Sequence, residues 1–188
     1  MKRLLFLLAG LLLVGGCAKQ PVIANLNPRI SDQPAGVFVP GTSVAVKGQD
    51  SRKVQEVVIF LNDQPPTRLA NISAAADLFS ARLSAGLRDQ GLTIDPSSPV
   101  RLKFVLNDLL VQVSRQKLLY RAEAQSYVTI DVENRGAVIT RIFKRESFNE
   151  SATRPKLPEL EAMLNGQLSD ILQMILKDEE IRQLLAKK

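Results

Sequence analysis

The 188-residue chain contains no histidine and one cysteine, Cys17. That composition removes Ser-His-Asp triads, histidine-based zinc sites and the commonest general base. It leaves three places where side-chain chemistry is conceivable. Cys17, the one thiol, follows two small residues at the end of an apolar run. Glu123, Asp131 and Glu133 alternate along one stretch. Two carboxylates on one strand face could serve glycoside cleavage of a cell-wall polymer, although a solvated sheet face explains them more simply. Gly48-x-Asp50-x-Arg52 could form a small polar site at a strand end. The plainer reading is a turn, with glycine supplying φ > 0 and arginine pairing with aspartate. No glycine-rich nucleotide motif and no metal-ligand spacing occurs, so neither a cofactor nor a metal is expected.

Cys17 gains its meaning from what precedes it. Lys2 and Arg3 open the chain, Leu4 to Val14 form an apolar run, and Gly15-Gly16 lead into the cysteine. This is a secretory signal: basic start, short apolar stretch, small residues at a cut site. The run is too short to span a bilayer, which takes about 20 residues. Val14-Gly15-Gly16-Cys17 resembles the lipobox of bacterial lipoproteins. The resemblance implies cleavage between Gly16 and Cys17, removal of residues 1–16 and lipidation of Cys17, giving a membrane partner through an N-terminal lipid anchor. With that thiol committed, no disulfide or thiol nucleophile remains. Cleavage also lowers the formal net charge from +6 by two, a balance suited to solubility. The chain has two tyrosines and no tryptophan, so no nucleic-acid partner is expected.

The elements that would position these residues follow in order. Residues 17–41 are expected to be a tether, since Pro21, Pro28, Pro34 and Pro40 oppose helix and central strand alike. Fully extended, residues 18–41 would reach roughly 80 Å, shortened if Val37-Phe38-Val39 docks. Residues 42–188 form one domain. Alternation and β-branched runs predict strands over 42–47, 54–61 and 67–70, with a turn over 48–52. Ala75, Phe79, Leu83 and Leu87 form a helical stripe over 74–90, started by Ser73 as N-cap and stopped by Gly91. The strand over 100–114 flips its apolar phase after Asn107-Asp108, as a β-bulge would. Over 117–133, Leu118, Tyr120, Ala122, Ala124, Ser126, Val128, Ile130 and Val132 share one face. Arg121, Glu123, Gln125, Tyr127, Thr129, Asp131 and Glu133 share the other. Asn134-Arg135-Gly136 turns into a third long strand, 137–149. Residues 158–177 carry a wide apolar stripe, with Asp178 capping a short last helix. The fold class is therefore α+β: a two-layer sandwich with two main helices on one face of an antiparallel sheet.

The Cys17-Ala18-Lys19 start followed by Pro21, the run Val44 to Arg52, and the long hairpin through Asn134-Arg135-Gly136 together resemble the YajG-type family of Gram-negative lipoproteins. That resemblance implies an outer-membrane, periplasm-facing lipoprotein without an established biochemical activity. Such a protein is expected to be no enzyme and to act on an envelope protein or peptidoglycan partner. Arg121, Glu123, Gln125, Tyr127 and Asp131 are the candidate partner surface; a carboxylate-dependent wall hydrolase is the alternative.

Overall fold

The structure is a computed structural model and describes residues 22–187. The expected signal, its expected cut site and Cys17 lie outside them. Among the described residues, seven strands and three helices follow the order β1 (Ser43–Asp50), β2 (Val58–Phe60), β3 (Thr67–Leu69), α1 (Ala75–Asp89), β4 (Thr93–Ile94), β5 (Arg101–Gln116), β6 (Leu119–Asn134), β7 (Ala137–Ser151), α2 (Leu157–Lys177) and α3 (Glu179–Ala186).

The long strands β5, β6 and β7 form an antiparallel meander. Its register shifts between Leu106 and Asp108, where the apolar phase reverses in the sequence. The β6–β7 turn places Arg135 and Gly136 at φ of 52° and 77°, the paired positive φ of a tight hairpin turn. On β6, every second residue from Ala122 to Val132 is buried, as the alternation requires.

The expected antiparallel sandwich needs correction: the sheet is mixed and curled. β6 occupies one edge of β5 along its whole length. The other edge is divided between β1, parallel on residues 101–106, and β2, parallel on residues 111–113. β4 adds parallel to β1. Parallel neighbours need a crossover connection, and α1 lies in the one between β1 and β5. The two-residue β4 was not anticipated. α1 packs on β1 and β4, while α2 packs on β5, β6 and β7. Leu83, Ile130, Leu164 and Leu168 belong to one continuous core.

Local chemistry explains several departures from the expected elements. The strand over 54–61 is cut to Val58–Phe60 because Arg52 Nη1 donates to the Gln55 carbonyl oxygen at 3.1 Å and Gln55 returns a bond to the Arg52 carbonyl oxygen. Ser73 does not cap α1; its N-cap is Ala74, without a side-chain bond. Gly91 does end that helix region at φ 102°, where a Cβ would press on the Phe38 carbonyl oxygen at 3.2 Å. Asp178 caps α3 by accepting from the Ile181 N–H at 3.0 Å.

The proline-containing segment is not free over its described length. Ala24, Leu26 and Pro28 are buried in alternation. Between them, the N–H groups of Asn25, Asn27 and Arg29 donate to Glu161 Oε1, Asn165 Oδ1 and Ser169 Oγ of α2, at 2.7, 2.7 and 3.0 Å. The periods match. Two extended residues advance about 6.6 Å and four helical residues about 6.0 Å. Proline at 28 is tolerated because its position contributes no N–H to this ladder. Phe38 is buried as well, with its N–H on the Gln90 carbonyl oxygen.

One surface pair yields a pH prediction. Arg154 grips both oxygens of Asp63 at 2.6 and 2.8 Å and stacks its guanidinium 4.0 Å from the Phe60 ring centre. The bonds from Arg154, then that from Thr67, hold the Asp63 carboxyl down from 3.8 to about 2. A depressed carboxylate contributes stability above its unfolded pKa and loses that contribution as pH falls through the folded value. The loss therefore falls between roughly pH 4 and pH 2 and stays within about 1 kcal/mol, because the pair is at the surface. Carboxyl NMR titration should place the Asp63 midpoint near 2, and Arg154→Ala should return it toward 3.8.

Candidate functional site

The face of the meander turned away from the helices, its outer face, carries all five candidate partner residues. Pairing sets each beside fixed neighbours: Arg121 against Ser114 and Glu150, Glu123 against Gln112 and Phe148, Gln125 against Leu110 and Glu146, Tyr127 against Asp108 and Lys144, Asp131 against Lys103 and Thr140. Arg121 is the most constrained. Its Nε donates to Glu123 at 2.7 Å, its Nη1 to Glu150 at 3.0 Å, and its guanidinium carbon lies 4.3 Å from the centre of the Phe148 ring. Asp131 accepts from the Thr140 hydroxyl at 2.7 Å, and Lys144 pairs with Glu146 at 2.6 Å. Beside Arg121 and Glu146 an open trough of about 440 Å³ runs past Asp108, Gln112, Glu123, Gln125 and Phe148. Burial pushes the Asp108 carboxyl above its ordinary value despite the opposing bond from the Leu109 N–H and the charges of Arg52 and Lys144.

Sequence reasoning missed β7's part in this face. Val138, Ile142 and Phe148 are each 63% exposed on it. They alternate with Thr140, Lys144 and Glu146 on the same side of the strand. The signal was the period-two spacing of these apolar residues, obscured because Ile139 and Phe143 face the other way.

The carboxylates are engaged in ion pairs and hydrogen bonds. Glu123 and Asp131 lie eight residues apart along β6, about 26 Å, beyond the roughly 5–9.5 Å that glycosidases use. Asp131 and Glu133 are about 7 Å apart along the strand. Asp131 is engaged by Thr140, Glu133 by Arg101 at 3.4 Å, and the groove beside them is lined by Lys47, Arg101 and Lys103. Among the described residues, no three metal-ligating side chains converge, and no helix is long and apolar enough to cross a membrane.

Gly48, Asp50 and Arg52 are not grouped in a turn. Gly48 and Asp50 continue β1, paired with Phe104 and Leu106. Gly48 is not at positive φ; a Cβ there would collide with the Phe104 ring. Arg52 closes on Asp50 through Nε at 3.0 Å and Nη2 at 2.8 Å, with only 4% of its side chain exposed. Burial raises the Asp50 pKa, but the bonds from Arg52 outweigh it and hold the carboxyl below its ordinary value. The clasp fastens the end of β1.

The arrangement is an α+β domain whose long meander leaves one sheet face uncovered by helices. The family model for an uncharacterized lipoprotein matches residues 28–186, and the chain belongs to that family, of the YajG type. It is 24% identical over 189 residues to the uncharacterized lipoprotein YajG of Escherichia coli K12, covering 98% of this chain and 96% of the relative. The same protein of E. coli O6:H1 matches equally. Protein XCC0632 of Xanthomonas campestris shares the fold at a TM-score of 0.58 and 14% identity, over 82% of this chain and 95% of that one. Membership of a lipoprotein family places the protein among membrane-anchored envelope proteins. The relatives' names state no reaction.

Proposed function

We propose that the mature protein is an outer-membrane lipoprotein, anchored through Cys17 and facing the periplasm, that binds an envelope protein or peptidoglycan with the outer face of its sheet. The observation that carries this reading is that face itself. Val138, Ile142 and Phe148 stand exposed beside an ordered set of charges on Arg121, Glu123 and Asp131. Mixed apolar and charged surface uncovered by helices is the makeup of a non-obligate interface. Ala18 rather than Asp follows Cys17, which supports release to the outer membrane; recovery of the mature protein only in inner-membrane fractions would contradict that. The binding test is a photoreactive residue at Tyr127 in the full-length protein in intact cells. It should yield a discrete adduct with another envelope component, while the same probe at exposed Ala162 on α2 should not. Absence of any adduct from Tyr127, or identical products from both positions, overturns the reading.

A further inference from the structure

The pairing of the docked segment fixes the direction from which the chain arrives. Ala24 bridges Asn71 in parallel, so residues 22–24 run the same way as β3 continued through Asn71. β3 is antiparallel to β2, and β2 is parallel to β5 at residues 111–113. The chain before Ala24 therefore comes from the end of the sheet where β5 finishes and turns into β6. Only five residue steps separate Val22 from Cys17, at most about 18 Å. The proline-containing stretch cannot act as a spacer of roughly 80 Å, because its later part is bonded along α2.

That end of the sheet carries an unusual surface. The β5–β6 turn presents Leu118 at 82% exposure and Leu119 at 43%, and Leu61 nearby is 45% exposed. Arg115 and Lys117 flank the leucines and are exposed too. Asn62 Oδ1 accepts from the Arg115 N–H at 2.6 Å, which ties the Leu61 loop to this hairpin. Leucines at a loop tip with cations beside them match the interfacial zone of a bilayer, where apolar side chains enter and cations meet anionic head groups.

We infer that this tip is the membrane-contacting end of the domain: Leu118 and Leu119 enter the interface of the bilayer that holds the lipidated Cys17, with Arg115 and Lys117 on its phosphates. The inference rests on lipidation of Cys17 and is separate from what binds the outer face. It stands the long strands away from the membrane, with Val138 at the far end and the outer face turned sideways to the periplasm.

The chain has no native tryptophan, which permits a clean test. The full lipidated protein carrying Leu118→Trp is reconstituted into phosphatylethanolamine–phosphatidylglycerol vesicles with and without brominated acyl chains. Flotation with the vesicles reports the anchor; quenching reports contact. The expected result is flotation, a blue-shifted emission and loss of most of it to brominated lipid, while Val138→Trp floats without quenching. Arg115→Glu with Lys117→Glu in the Leu118→Trp protein should reduce the quenching but not the flotation. Flotation with an unquenched Leu118→Trp overturns the inference and leaves the anchor standing. Equal quenching at positions 118 and 138 overturns it as well. Failure to float overturns the anchor, and the inference with it.

Discussion

A Cys17→Ser protein will accumulate as an uncut precursor that takes up no fatty acid. The expected effect is all-or-none, because the chain has no second thiol to accept a lipid. Hydroxyl in place of thiol removes the nucleophile that the lipobox resemblance requires, and a cleavage that follows lipidation then fails as well. The precursor would keep an apolar run too short to span a bilayer comfortably, and would partition to the inner membrane or be lost. Without acyl chains, each buried CH₂ of which contributes about 0.8 kcal/mol, nothing replaces the anchor. Palmitate labelling with gel mobility reads both steps. A Cys17→Ser protein that labels normally would end the lipoprotein account of this chain.

Replacing Ile130 with alanine should cost about 2–5 kcal/mol. Ile130 is fully buried on β6, beside Phe104 on β5 and Arg141 on β7. Its layer is roofed by α2, so the cavity left by truncation has little freedom to collapse. At roughly 2–4 °C for each kcal/mol in a chain of this size, thermal melting will show the loss plainly. Thr129→Ala next door removes an outer-face side chain bonded to Asn107 at 2.9 Å and should cost about 0.5–1.5 kcal/mol at most. Equal losses at the two positions would mean that the assignment of inner and outer faces is wrong.

The meander was legible because its information is local. Alternation over β6, the phase flip at Asn107-Asp108 and the Asn-Arg-Gly turn each act through near neighbours. The parallel pairing of β1 and β2 on β5 was not legible, since alternation reports which face is buried and not which strand lies alongside. Ser126 is a polar residue in an apolar row; its partner, Gln167, comes from α2 and accepts the Ser126 hydroxyl at 2.7 Å. Gly48 looked like a turn residue because the ring that demands it, Phe104, is remote in sequence. The docked segment showed its prolines but hid its fit: Ala24, Leu26 and Pro28 alternate inward only because Glu161, Asn165 and Ser169 present acceptors at matching spacing. As for the candidate site, the β6 residues and their common face were readable. The apolar contribution of β7 was not, because its two faces are both partly apolar.

The central claim is that the outer face of the sheet is covered by a partner in the envelope and bare in the isolated protein. Thiol accessibility measures this directly, since a lipidated Cys17 leaves no competing thiol. Gln125→Cys should react slowly with a membrane-impermeant maleimide in intact, outer-membrane-permeabilised cells and rapidly after purification in detergent. Ala162→Cys, exposed on the far side of α2, should react at similar rates in both. Equal, rapid labelling of Gln125→Cys in cells and in detergent would contradict the claim.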